Sequence, residues 1–207
     1  MKSLKLCLMT LYHPIVVTEH IQKQRGQRMN WLPVIILLAL ALGVRILSIY
    51  GTHYPLASVS VRKANLLLEC GKLFVPVLTW VLASYMMTTI LDGETLFTET
   101  LLFSSYALVP YIVFTPILTL ASRIMEGGQL GLYATMEVII LGWVVMLMIL
   151  ALKEMNGYTV GKTVLLIGLS LFTMLMIWAM VILLFTIASQ FVDMVKEMFY
   201  EVIYRLD

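Results

Sequence analysis

The chain has 207 residues, of which 61% are hydrophobic and 13% charged, with a mean hydropathy of +0.95 and a net charge of +2. A soluble domain is about 45–50% apolar and about 25% charged, so this composition excludes an ordinary globular fold, and disorder needs the opposite bias. Two cysteines do not make a disulfide scaffold, and a charge of +2 without a basic tail gives no reason to expect nucleic acid as a partner.

What remains is an all-α integral membrane bundle. A bilayer core of roughly 30 Å needs about 20 mostly apolar residues in a helix, and five such runs occur in chain order. They are residues 31–50, broken only by Arg45; 73–91 and 101–122, both uncharged; 132–152, containing Glu137; and 164–188, again uncharged. Helices are expected because lipid leaves only helices or closed barrels viable, and the alternating strands of a barrel are absent. The connections 51–72, 92–100, 123–131 and 153–163 are short and polar, and no internal repeat or linker divides the chain. The domain expectation is an N-terminal segment over 1–30, a five-helix domain over 31–188 and a C-terminal helix over 189–207.

Residues 1–30 do not read as a signal peptide, since the apolar stretch is short, Pro14 interrupts it and no small-residue cleavage site follows. They read as a short helix on or slightly in the interface, a break at His13-Pro14, and an amphipathic segment reaching Arg28. At the other end Phe191, Val195, Met198, Phe199, Val202 and Leu206 form an apolar stripe, with Asp193, Glu197, Glu201 and Arg205 on another face. An amphipathic helix is expected there. Its acids make binding to anionic lipid by charge unfavourable.

With the N-terminus inside, Lys2, Lys5, Lys23, Arg25, Arg28, Lys153 and Lys162 lie inside, and Arg62, Lys63, Lys72, Arg123, Lys196 and Arg205 outside, seven against six. Five of the seven precede the first span, the usual determinant, so the expectation is a cytoplasmic N-terminus and an outer C-terminus. In that orientation Arg45 and Glu137 lie at similar depth. An unpaired charge there is expensive, so they are a candidate ion pair, with snorkelling of Arg45 to the interface as the alternative.

Catalytic chemistry has no support. His13, His20 and His53 fall in no zinc motif, Cys7 and Cys70 stand alone, and nucleophile-elbow, phosphate-loop and dinucleotide signatures are missing. No cofactor or metal site is expected. The fifteen methionines lack a collecting Cys or His and read as packing and lipid-facing residues rather than copper ligands.

Several short motifs remain: His13-Pro14, Lys23-Gln24-Arg25-Gly26, Leu91-Asp92-Gly93-Glu94, Ser105-Tyr106-Ala107-Leu108-Val109-Pro110, and Tyr158 with Lys162-Thr163. In this order and spacing they resemble the Yip family of multi-pass membrane proteins, named for interaction with Ypt/Rab GTPases, and more specifically its bacterial branch. The resemblance implies five spans, a cytoplasmic N-terminus and no catalysis. For the bacterial branch it also implies association with carbohydrate ABC importers. By the topology argument the acids Asp92, Glu94 and Glu99 face the bases Lys23, Arg25 and Arg28, and with Tyr158 and Lys162 they form a candidate cytoplasmic patch. Whether these motifs dock a partner or only close loops stays open at this level. Tyr106 and Pro110 mark the third span, which Pro110 and Pro116 should kink. The expected function is a membrane adaptor or accessory subunit, against a small transporter or channel, which would need polar groups reaching the midplane from several spans.

Overall fold

The computed structural model describes residues 2–23, 31–53, 56, 65–125 and 127–206, with side chains described within 6–198. Eight α-helices occur among these residues: α1 (Lys2–Tyr12), α2 (Pro14–Lys23), α3 (Leu32–Gly51), α4 (Leu66–Ile90), α5 (Phe97–Ala107), α6 (Val109–Ala121), α7 (Leu130–Asn156) and α8 (Val160–Leu206). By length and apolarity they supply five membrane spans, namely α3, α4, α5 with α6, α7 and α8.

The third span is the hub. Of its apolar window 67% is buried, against 33% or less in every other span, and α3, α4, α7, α1 and α2 all touch it. Phe103, Tyr106, Ala107, Leu108, Val109 and Tyr111 carry its part of the core. The kink expected from Pro110 is a true break. The proline has no N–H to give the Tyr106 carbonyl, so α5 ends at Ala107 and α6 restarts at Val109 with Pro110 in its first turn. Pro116 stays inside α6.

Local chemistry sets the other ends. The Asn65 side chain accepts from the Leu67 N–H at 3.2 Å and starts α4, seven residues before the run that composition alone marks. Gly157, at φ +60°, terminates α7 in the left-handed conformation that a glycine adopts without penalty.

Two features go beyond the sequence expectations. The fifth span and the C-terminal helix are one uninterrupted helix, because no glycine or proline after Gly168 breaks it. The N-terminal segment, expected at the interface, also packs along the bundle. At the C-terminal end of α2 the Gln22 amide donates to the Met155 carbonyl at the last turn of α7, at 2.9 Å. From there α2 packs on α7 and α5, whereas α1 reaches α5 and α6, further along the third span. Thr10 and Val17 are fully buried and Ile21 nearly so, because one side of this segment packs on the bundle, while Leu8, Tyr12, Ile15 and Val16 stay exposed.

Candidate interaction surface and intramembrane charge network

One end of the bundle gathers the end of α4, the loop 91–96, the end of α7 and the start of α8. The loop leaves α4 through Leu91, whose N–H reaches the Met87 carbonyl at 3.1 Å, and Gly93 N–H then returns to the Thr88 carbonyl at 2.7 Å. This reversal requires Asp92 at φ +55°, a left-handed conformation that asparagine and aspartate tolerate better than most residues. A Cβ on Gly93 would lie 2.5 Å from the Tyr158 hydroxyl, 2.7 Å from Asn156 Oδ1 and 2.8 Å from the Thr88 carbonyl oxygen. Only glycine fits there.

The α7–α8 turn holds the loop from the other side. Tyr158 donates its hydroxyl hydrogen to the Leu91 carbonyl at 3.3 Å. Asn156 Oδ1 accepts from both the Thr95 N–H at 3.2 Å and the Thr95 hydroxyl at 2.5 Å, and its amide nitrogen donates to the Leu152 carbonyl at 2.9 Å. Burial, with the nearby Asp92 charge second, pushes the Tyr158 phenol above its ordinary pKa. Lys162 Nζ sits 4.4 Å from the centre of the Tyr158 ring, so the cation covers the phenol's face.

The predicted patch residues therefore divide. Tyr158, Lys162, Asp92 and Glu94 gather at this end, with both carboxylate residues exposed. Glu99 is buried at 6% exposure and accepts from the Leu96 N–H at 3.0 Å, which caps the start of α5. Lys23 lies 3.8 Å from Glu19 on its own helix. Arg25 and Arg28 lie outside the described residues. Asn156 and Gln22 were not singled out from sequence, although Asn156 directly before Gly157 is a readable helix-stop signal.

The opposite end of the membrane region contains the charges. Arg45 on α3 donates from Nη2 to Glu69 Oε2 on α4 at 2.6 Å, while its Nη1 lies 4.0 Å from Glu137 Oε1 on α7. The anticipated partner Glu137 is thus within ion-pair range but beyond hydrogen-bond range, and Glu69, assigned to a loop by sequence, is the close one. Glu69 is 3% exposed, and its other oxygen accepts from Lys72 Nζ at 2.5 Å. Each charge in this network has an opposite charge beside it, as low-dielectric surroundings demand. The Tyr111 hydroxyl is buried beside the Arg45 guanidinium in the same region, and the Thr52 and Tyr133 hydroxyls approach to 3.3 Å. The signal for Glu69 was available. Glu69 and Lys72 stand at i,i+3 spacing between apolar residues, so the pair is neutral and need not end a span.

Tyr106 and Pro110 are core residues of the central span. Among the described residues no group of three or more His, Cys, Asp or Glu is placed to hold a metal ion, and Cys7 and Cys70 are free.

A Yip1 domain model matches residues 9–189. The match covers most of the chain, so the protein belongs to the Yip family and is a multi-pass membrane protein of that family. No curated protein and no solved structure matches the chain significantly.

Proposed function

We propose that this Yip-family protein is a non-enzymatic membrane adaptor whose working surface is the rigid loop 91–96. One observation carries the reading. Gly93 is clamped between Tyr158, Asn156 and the Thr88 carbonyl, while Asp92 and Glu94 beside it are exposed. A loop needing only to reverse the chain could use a flexible turn. Here it is pre-ordered, so binding a partner would cost little loop entropy. The partner we infer is another membrane protein with a basic surface, an ABC importer subunit being the class that the family resemblance implies. The orientation proposed is N-terminus and loop in the cytoplasm and C-terminus outside, in the cell membrane.

A transporter is the second reading, favoured by the buried charge network of Arg45, Glu69 and Glu137 with the Tyr111 hydroxyl beside it. Against it, Glu69 is saturated by Arg45 and Lys72 near one end of the spans, and the cavity beside Trp80, Phe103 and Met148 holds only about 10 Å³. Gentle-detergent purification with identification of co-purifying proteins tests the adaptor. Asp92→Asn with Glu94→Gln should reduce recovery of a specific membrane partner without changing expression or melting. Unchanged recovery sinks this reading, and solute uptake by the protein alone in liposomes would replace it with the second.

A further inference from the structure

The first two helices contain an uncharged run of their own. Residues 6–18 include no Asp, Glu, Lys or Arg, whereas Lys2 and Lys5 precede them and Glu19 and Lys23 follow. Thirteen helical residues reach about 20 Å, too short to cross a hydrocarbon core of roughly 30 Å but long enough to enter one. A run of that length suits either a segment that enters the bilayer and turns back, or one that lies at its surface.

The packing distinguishes the two. Gln22 fixes the end of α2 at the last turn of α7, and from there α2 packs on α7 and α5, and α1 on α5 and α6. Touching both α5 and α6 puts α1 at the level of the break at Leu108, about 16 Å along the third span from Phe97. Leu6, Cys7, Met9 and Leu11 pack on the core cluster that contains Tyr106, Leu108 and Val109. A helix lying among headgroups would meet the start of α5 and no part of α6.

The polar groups of the run are bonded as hydrocarbon demands. Thr10 and Thr18 donate their hydroxyls to the Leu6 and Ile15 carbonyls at 2.9 and 2.6 Å. At the break before Pro14, the His13 N–H reaches the Met9 carbonyl at 2.7 Å, and the His13 carbonyl accepts from the Val16 N–H at 3.2 Å. Tyr12 and His13 are the exposed polar residues of the run, and both have an apolar ring with polar atoms that can reach toward headgroups.

We propose that residues 2–23 are a re-entrant segment, with α2 entering the bilayer beside α7 and α1 lying below the headgroups against the break in the third span. Leu8, Ile15 and Val16, on the exposed side of the pair, face lipid chains. The segment fills the side of the third span where Pro110 interrupts the hydrogen-bond ladder. The proposal is independent of the adaptor reading, because depth is measured against the third span and uses neither the loop 91–96 nor its partner.

The test uses the full chain in nanodiscs, with Cys7→Ala and Cys70→Ala removing the native thiols and a nitroxide on one introduced cysteine at a time. Leu8, Tyr12 and Ile15 are exposed, so cysteines there leave the packed side intact. Met146 on α7, 66% exposed and about 15 Å from Asn156, is the lipid reference, and Lys23 is the water reference. Labels at Leu8→Cys and Tyr12→Cys should lose collision with a water-borne nickel chelate to the level of Met146→Cys, with Ile15→Cys between them and Lys23→Cys. Nickel collision at 8 and 12 equal to that at 23 overturns the proposal. So does an intermediate value shared by 8, 12 and 15, which would place the pair in the headgroup layer. In sealed vesicles, Ser3→Cys and Lys23→Cys should react with an impermeant maleimide from the same side; reaction from opposite sides would make the segment a full crossing and overturn it as well.

Discussion

Removing Glu69 should damage the protein far more than removing Glu137, although both carboxylates lie beside Arg45. Glu69→Leu strips the guanidinium of its 2.6 Å contact and leaves it with one carboxylate at 4.0 Å, across a gap too wide for a hydrogen bond. Breaking a buried pair from one side costs about 3–5 kcal/mol, because the surviving charge stays desolvated. The remaining Glu137 and the 20% exposure of the Arg45 side chain relieve part of this, which puts the expected loss near the lower end of that range, about 3 kcal/mol. Glu137→Leu removes only a long contact from a side chain that is 35% exposed, so its cost should fall within about 0–1 kcal/mol. Equilibrium unfolding in mixed detergent micelles, run as two double-mutant cycles, separates the pairs. The coupling energy between Arg45 and Glu69 should be about 2–3 kcal/mol, and that between Arg45 and Glu137 under about 1 kcal/mol. A stronger coupling for the second cycle would refute the reasoning and restore the pairing that sequence depth implies.

Gly93→Ala should destabilise by about 1–3 kcal/mol, since one of the three atoms in its way is the Thr88 backbone oxygen, which has no rotamer to escape into; thermal unfolding in detergent measures this. Tyr158 should titrate above the ordinary value of a free tyrosine in ultraviolet difference spectra, and Asp92→Asn should bring it partway down. The folded-state pKa is raised, so Tyr158's contribution to stability is complete below the unfolded-state value near 10 and is lost as pH rises through the folded one. Gln22→Ala removes a neutral hydrogen bond to the end of α7, at a cost of about 0.5–1.5 kcal/mol, and should speed proteolysis within residues 2–23 before any span is cut.

The spans were legible because lipid makes run length nearly sufficient, although run length ended the fourth at residue 152, whereas α7 continues to Asn156, where Gly157 stops it. The start of α4 was not. A count of charges treats Glu69 and Lys72 as two interruptions, whereas in space they neutralise each other and Glu69 also meets Arg45 from a span twenty-four residues away. The sequence depth argument found the right cation and one of its two acids, because it compared positions only among the runs it had already drawn. The packing of the N-terminal helices on the bundle was not legible for a related reason. Ten and eleven residues are too few to span, so length sent them to the interface, and it could not show that Val17 and Ile21 are buried in a segment that also packs on α5 and α7. In the loop 91–96 the motif could be seen and its logic could not. That Gly93 is clamped depends on Tyr158 and Asn156, more than sixty residues away.

These particulars also say where the molecule has freedom. At one end Tyr158, Asn156 and Gln22 tie α7, the α7–α8 turn, the loop 91–96 and α2 together through backbone carbonyls and amides. In the opposite half Arg45 joins α3 to α4 and, more loosely, to α7 by charge. Both sets of ties surround the same central span, so sliding any of α3 to α7 along its axis would strand a buried polar atom in a medium that offers no substitute. α8 is exempt past Trp178, since among its described side chains up to Met198 none is buried and none makes a polar tie to the bundle. Rotation or tilt of that half costs only contacts with lipid, which lipid replaces. A rigid five-span body with one loosely held arm can therefore change what lies against the arm without disturbing the packed loop at the other end, and two surfaces of this kind can be occupied independently.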